Sequence, residues 1–370
     1  FGDYYRSAEV QHPRRASHRE WAFIPFEGGM VRHKSLLDLG SLDTWLADTK
    51  PRHVYYSSAI YSRPDVPNMG EKGWLGADLI FDLDADHLEG VSPDDPYPEM
   101  LEKCKQSLMV LLDFLENDLG FGDLEIAFSG GRGYHVHVHD EEVQNLDSQS
   151  RREIVDYVQG IGFQPELAFS GETVGGEHGR KSPVEVRKLN EGAWSKRIRD
   201  YILDFGDELT RIDEEEAVER LKGFENVGDK KARKILGVFR DKRDAIESGN
   251  LDVVGGLRGF WDALIEQAVS ERHAETDEPV TTDTKRLIRL PGSLHGGTGL
   301  RVTSIERDDL SDFKPLEDAV VFSDHEVDVI SDGSNEINVG GRTFNIVEGE
   351  NNLPEYAAIF AILRTGVSLG

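Results

Sequence analysis

The 370-residue chain carries 70 acidic against 42 basic side chains, a formal net charge of −28, and is 38% hydrophobic and 9% aromatic. That is too apolar for a disordered chain, while a mean hydropathy of −0.47 describes a heavily charged, water-facing surface. No apolar run reaches the ~18–20 residues that a bilayer helix needs, so no membrane partner is expected.

The length leaves room for two or three domains, or for one elaborated α/β domain. A single cysteine, Cys104, excludes an internal disulfide and any zinc site built from several cysteines. With no signal-peptide pattern ahead of the first apolar segments, a reducing cytoplasm is the simplest compartment. The acidity would ordinarily argue against a nucleic-acid partner. It also fits a protein kept soluble in molar salt, where the Debye length is only ~3 Å and local contacts decide binding.

Two apolar runs around Gly28-Gly29, within Trp21–Leu37, predict a hairpin, and Ser41 then caps a short helix through Trp45 and Leu46. His53–Tyr61 and Gly76–Asp86 read as strands, the second ending in acidic residues. Met100, Leu101, Cys104, Leu108, Leu111, Leu112, Leu115 and Leu119 recur at helical spacing, with Gly120 as the stop. Leu124–Ser129 and Tyr134–His139 form strands joined by the tight turn Gly130-Gly131-Arg132-Gly133. From about Glu191 to Arg272 the composition turns to charged residues with helical periodicity, a separate helical subdomain. Strand-like sequence resumes at Pro279–Leu290 and Leu300–Glu306, and an exposed hairpin is expected near the end. The domain expectation is a discontinuous catalytic domain over 1–190 and 273–350, a helical insert over 191–272 and a C-terminal helix over 351–370.

Three segments carry chemistry. In IFDLDAD, Asp82 and Asp84 stand two apart on a strand, so both carboxylates face one way and suit shared Mg²⁺ or Mn²⁺. Asp86 has the same parity, beyond the expected strand end. An acidic strand end is the plain alternative. In SGGRGYH the glycines let backbone N–H groups approach an anion, Arg132 adds a cationic fork, and His135 opens the next strand toward the same site. The plain alternative is a Gly-rich hairpin with one exposed arginine. His135, His137 and His139 alternate on one strand face, where packed or solvated histidines are a better expectation than a transition-metal site. Finally, DEPVTTDTKRLIRLPGSLHGGTG brings Asp277, Lys285, Arg286, Arg289 and His295, a third carboxylate and positive groups for phosphates.

FDLDAD at 81–86, SGGRGYH at 129–135 and DEPVTTDTKRLIRLPGSLHGGTG at 277–299, in that order, resemble the catalytic small subunit of archaeal and eukaryotic DNA primase. REWAF (19–23), VRHKS (31–35) and EKGWLGADLIFDLD (71–84) support it, and the resemblance is closest to archaeal members. It implies a primase fold of α/β (α+β) class, an α/β module plus an RRM-like module with an inserted helical subdomain. It implies that Asp82, Asp84 and Asp277 hold two Mg²⁺ or Mn²⁺ ions, with Asp283 a rival to Asp277. It further implies that Ser129, Arg132 and His135, aided by Arg289 and His295, hold the incoming nucleotide's phosphates, with Glu20 and Arg32 near the nucleotide. The implied partners are a large primase subunit in a heterodimer carrying the iron–sulfur domain, a single-stranded DNA template, and NTPs or dNTPs. The alternatives are a primase-related repair or translesion polymerase, a noncatalytic RRM-like nucleic-acid-binding protein and a metal-dependent phosphohydrolase.

Two departures from the family pattern stand out. The stretch from His87 to Cys104, where archaeal relatives carry a zinc knuckle, keeps one cysteine, so structural zinc is not expected there. Gly297 occupies a position where many relatives have lysine, leaving a phosphate contact to be supplied from Lys285, Arg286 or Arg301. In the insert, Gly223–Leu236 has the turn and basic helix start of a backbone-binding helix–hairpin–helix, although a solvated structural helix is the better expectation.

Overall fold

A computed structural model describes residues 1–8, 10–92, 94–174 and 184–370. The chain divides into two compact units, one made of residues 1–109, 121–155 and 275–370, the other of 110–120 and 156–274. Strand pairing is antiparallel throughout the described residues, which with the helices makes the fold α+β. No helix among them is long and apolar enough to cross a membrane.

In chain order the first unit supplies β1 (Trp21–Ile24), β2 (Val31–Lys34), β3 (His53–Ser57), β4 (Ala59–Tyr61), β5 (Trp74–Ala77), β6 (Leu79–Asp84), β7 (Leu124–Phe128) and β8 (Gly133–Val138). The second unit supplies the hairpin β9 (Phe169–Val174) and β10 (Val184–Leu189). The first unit then adds β11 (Leu287–Arg289) and β12 (Thr303–Ile305). Its last strands are β13 (Glu326–Ser331), β14 (Asn335–Val339), β15 (Arg342–Ile346), β16 (Gly349–Pro354) and β17 (Ser368–Leu369). Two four-stranded sheets carry the site, in the orders β11-β3-β1-β2 and β12-β7-β8-β6.

The two long strands expected from sequence are each two strands. β3 gives way to β4 at Ser58, and β5 to β6 at Asp78, where the chain passes from one ladder to another. A change of ladder strands backbone carbonyls inside the protein, and a buried carbonyl without a donor is costly. Two buried arginines supply the donors. Arg19 donates to the carbonyls of Ser57 and Ser58 at 2.8 Å each and to Asp78 Oδ2 at 2.6 Å. Arg151 donates to the carbonyls of Ala77 and Asp78, also at 2.8 Å. Both arginines are within 1% of complete burial.

Trp21, Val54, Tyr56, Ile80, Ile288 and Leu294 pack with Leu42 and Leu46, the buried face of the helix Leu42–Thr49, into one core. The segment expected to begin a strand at Pro279 is instead the short helix Glu278–Thr282. Val280 and Thr281 are β-formers by type, but Pro279 stands in the first helical turn, where its missing N–H costs nothing, behind Asp277 as the N-terminal residue. The strand proper is confined to Leu287–Arg289. Near the C-terminus, β16 occupies Gly349–Pro354 ahead of the helix Glu355–Arg364.

In the second unit the helices Ala193–Arg211, Glu214–Lys222, Asp229–Asp241 and Arg258–Arg272 bury Ile198, Ile202, Leu221, Leu236, Trp261 and Leu264 against one another. Gly228 precedes the helix Asp229–Asp241, as the sequence suggests for a backbone-binding turn. Lys231 Nζ donates to the Asn226 carbonyl at 3.3 Å and Lys234 Nζ to that of Gly255 at 2.6 Å, so two of the basic groups are held by the protein's own backbone.

Candidate active site

Asp82 and Asp84 lie on β6 opposite His135 and Gly133 of β8. The apolar run Leu79–Leu83 buries this strand, and the alternation leaves the two carboxylates on one face at its open end. The pairing requires Gly133, because a Cβ there would overlap the Leu83 carbonyl. Asp277 arrives from the other end of the sequence. Its amide donates to the Asp82 carbonyl at 2.9 Å, and Thr276 Oγ1 donates to the same oxygen at 3.2 Å. Asp283, the rival, is a turn residue whose Oδ1 accepts the amide of Lys285 at 2.9 Å.

Two of these carboxylates, Asp82 and Asp277, hold their protons more tightly than a free aspartate does. Burial, and then the charge of Asp84, push the Asp82 carboxyl up to about 6. Burial and then the charge of Asp82 raise Asp277. Arg289 and Arg286 act on Asp82 in the opposite sense, so cationic groups already stand near. Hard oxygen donors that raise one another's proton affinity fit divalent ions such as Mg²⁺ or Mn²⁺.

Around them the phosphate-type groups are arranged in detail. Ser129 is buried, and its Oγ accepts the amides of Gly131 and Gly133 at 3.3 Å each, which shapes the turn from inside. Arg132 reaches Asp86 Oδ2 at 2.5 Å and Asp84 Oδ1 at 3.8 Å, so it bridges the acidic end of the strand. His135 Nε2 is 3.4 Å from Asp82 Oδ1, and burial, then Arg289 and Arg286, depress its pKa to about 3. It is therefore a neutral imidazole.

His295 is neutral as well, held well below its ordinary value by burial and then by Arg289. Its Nδ1 accepts the Gly297 amide at 3.2 Å, which places the ring proton on Nε2. That nitrogen lies over the glycine turn, where a Cβ at Gly131 would stand 3.1 Å from it. His53 Nδ1 accepts the Gly296 amide at 3.3 Å and Arg52 Nε donates to the Gly296 carbonyl at 3.0 Å, clamping the turn from behind. Arg289 lies over the Tyr55 ring, and its buried Nε has no partner, an orphaned donor beside the carboxylates.

Glu20 and Arg32 form a neighbouring group. Glu20 is fully buried; its Oε1 accepts from Arg32 Nε at 3.1 Å and from the His33 amide at 3.2 Å, and Lys72 Nζ is 3.1 Å from its Oε2. Glu20 therefore holds Arg32, which is partly exposed, rather than facing open space itself. His33 pays for this geometry with a left-handed backbone, φ 59°. Arg301 Nε donates to Thr303 Oγ1 at 3.3 Å. Sequence reasoning did not find Arg52, His53 or Lys72; Lys72 lies inside a supporting motif, while His53 opens, and Arg52 precedes, a strand read for its aromatic and β-branched content.

On the far side of Asp78 lies a second polar cluster. Asp78, His137 and His139 place three ligand-type atoms within 4.8 Å of one another, all buried. Burial opposes the proton on His139, but the neighbouring Asp78 and Glu125 outweigh it and hold the imidazole up at about 9. Cys104, by contrast, is buried with its Sγ against the Leu83 carbonyl at 3.5 Å and belongs to no ligand cluster among the described residues.

The family model of the DNA primase small subunit matches residues 81–307, the span from the paired aspartates to beyond the His295 turn. The DNA primase small subunit PriS of Haloarcula marismortui is 47% identical over 98% of this chain and 95% of its own length. That of Halorubrum lacusprofundi gives the same figures. PriS of Methanothrix thermoacetophila is 44% identical over all of this chain and 97% of its own. The chain belongs to the DNA primase small subunit family.

Proposed function

We infer that this chain is the catalytic subunit of a primase, joining nucleotides on a single-stranded DNA template into short primers. The observation that carries this reading is the meeting of Asp82, Asp84 and Asp277, from two distant stretches of sequence, under an orphaned Arg289 donor and two neutral histidines. Full-length similarity to archaeal PriS proteins supports it.

Asp82, Asp84 and Asp277 would hold a pair of Mg²⁺ or Mn²⁺ ions. Bound there, such ions activate a 3′-hydroxyl and neutralise charge on the triphosphate and on the leaving pyrophosphate. His135 Nε2 stands 3.4 Å from Asp82 Oδ1, near enough to serve the same site. Arg289 and the Nε2–H of His295 offer donors to the triphosphate oxygens. Arg132, anchored on Asp86 at 2.5 Å and only loosely on Asp84 at 3.8 Å, adds positive charge for a phosphate at the end of the strand. Arg32, braced by Glu20, adds a further positive group for the nucleotide. A large primase subunit in a heterodimer, and a cytoplasmic location, complete the proposal.

The test is unprimed synthesis on single-stranded DNA with labelled NTPs or dNTPs and Mg²⁺ or Mn²⁺ in molar KCl, with the Asp82→Ala, Asp84→Ala double variant as control. Products that vanish in the variant are expected. Extension of a supplied primer without initiation would favour a repair polymerase, and no incorporation in either mode would remove the reading.

A further inference from the structure

The cluster behind Asp78 has no part in the chemistry above, yet its polar atoms converge. His137 is completely buried; its Nδ1 lies 3.4 Å from the Tyr56 hydroxyl, while its Nε2 has no partner at all. His139 is 6% exposed, and its Nε2 lies 3.3 Å from Glu125 Oε2. Its Nδ1 is 3.3 Å from Asp78 Oδ1 but outside the direction of a hydrogen bond. Asp78 directs its other oxygen, Oδ2, to Arg19 at 2.6 Å.

Three ligand atoms therefore lie within 4.8 Å of one another, and each ligand has its remaining polar atom engaged by a neighbour: Tyr56 for His137, Glu125 for His139 and Arg19 for Asp78. Outer partners of this kind fix the tautomer and orientation of metal-bound histidines. A buried imidazole nitrogen left without a partner is costly, so His137 Nε2 calls for an occupant. Two imidazoles and a carboxylate suit Zn²⁺, which takes nitrogen and oxygen in a tetrahedron, rather than Mg²⁺ or Mn²⁺, which prefer oxygen sets.

We propose that Asp78, His137 and His139 form a zinc site with three protein ligands, separate from the catalytic carboxylates, that ties β8 to the junction between β5 and β6. In the bound state His139 keeps its Nε2–H on Glu125 and His137 its Nδ1–H on Tyr56, and a proton held on either coordinating nitrogen leaves to solvent. The positive charge of Arg19 and the negative charge of Glu125 balance in the outer layer. A solvent oxygen would complete the tetrahedron.

The full chain, stripped with chelator in molar KCl, is titrated with Zn²⁺ and, in parallel, with Co²⁺, whose visible absorption reports tetrahedral coordination. Bound metal after desalting is measured by mass spectrometry. The wild type and the Asp82→Asn, Asp84→Asn double variant should each retain one zinc per chain and show the intense cobalt band. His137→Gln, which leaves the Arg19–Asp78 pair intact, should lose both, and Tyr56→Phe should weaken binding roughly ten- to a hundredfold. Substoichiometric zinc in the wild type, a weak octahedral cobalt spectrum, or retention of zinc by His137→Gln would overturn the proposal. Loss of zinc in the double aspartate variant would assign the ion to the catalytic carboxylates and overturn it equally. Should His137→Gln fail to fold, the wild type and the double variant decide the matter without it.

Discussion

The amide of Asp277 is hydrogen-bonded to the carbonyl of Asp82 at 2.9 Å, although 194 residues separate them. The bond is made by backbone alone, so it holds Asp277 beside the β6 carboxylates whatever the charge on either side chain. Architecture and chemistry at this point are thereby separable. Asp277→Asn should keep the bond and the fold while lowering nucleotide incorporation at least about a hundredfold, as expected for removing a group that stabilises developing charge. Incorporation assays beside circular dichroism would check it; near-normal turnover would exclude Asp277 from the metal set.

Arg289 presents a buried Nε without a partner. If that donor is meant for a phosphate oxygen, Arg289→Met should raise the KM for nucleotide roughly ten- to a hundredfold, the worth of about 1.5–3 kcal/mol for a charged hydrogen bond. kcat should fall far less. An unchanged KM in steady-state kinetics would sink this role.

Two glycines make a paired prediction about space. At Gly133 a Cβ would overlap the Leu83 carbonyl, whereas at Gly228 it would meet nothing within 4 Å. Gly133→Ala should part β6 from β8, costing both thermal stability and activity, while Gly228→Ala should melt close to the wild type. Comparable melting temperatures for the two variants would contradict the geometry.

The buried Arg19–Asp78 pair gives a second structural test. Arg19→Met leaves an uncompensated carboxylate and removes the donor to two carbonyls, so a loss of about 3–5 kcal/mol is expected in denaturant unfolding. A shift under about 1 kcal/mol would mean that solvent enters to replace the arginine.

Cys104 provides a simple probe of the native core. It is fully buried, and burial followed by the charges of Asp84 and Asp82 raises its pKa far above the ordinary thiol value. A thiol reagent should leave it unmodified in the folded chain and react fully after guanidinium unfolding. Rapid native reaction would show that the helix Tyr97–Asp113 opens readily.

How far the site could be read from sequence depends on what each residue does. Asp82, Asp84 and the Gly130–Gly133 turn were legible because strand parity and glycine spacing are local properties. Asp277 was legible only as a third acid in a basic segment, since nothing local shows which strand it joins. Glu20 illustrates the limit: only the family resemblance implies that it stands near a nucleotide, and its full burial beneath Arg32, His33 and Lys72 is a tertiary fact. The same limit applies to the strands. His53–Tyr61 and Gly76–Asp86 carry continuous β-forming sequence, and only the crossing at Ser58 and Asp78, with arginines from elsewhere capping it, divides them. Pro279–Thr282 misled for the opposite reason, because residue type spoke for strand while the proline and its preceding aspartate set a helical turn.

The arginines at that crossing also govern how the gene can be cut. Arg19 belongs to a segment that precedes every strand, yet its guanidinium closes hydrogen bonds at the root of the strand bearing Asp82 and Asp84. An amino-terminal deletion reaching past Arg19 would spare every residue that faces the proposed substrate and still unsettle the ground on which those residues stand. Minimal fragments drawn from motif boundaries, starting near residue 70 or 81, lose Arg32 and β1 to β3 along with Arg19, so they should express as insoluble or loosened protein, and their inactivity would say nothing about the motifs themselves.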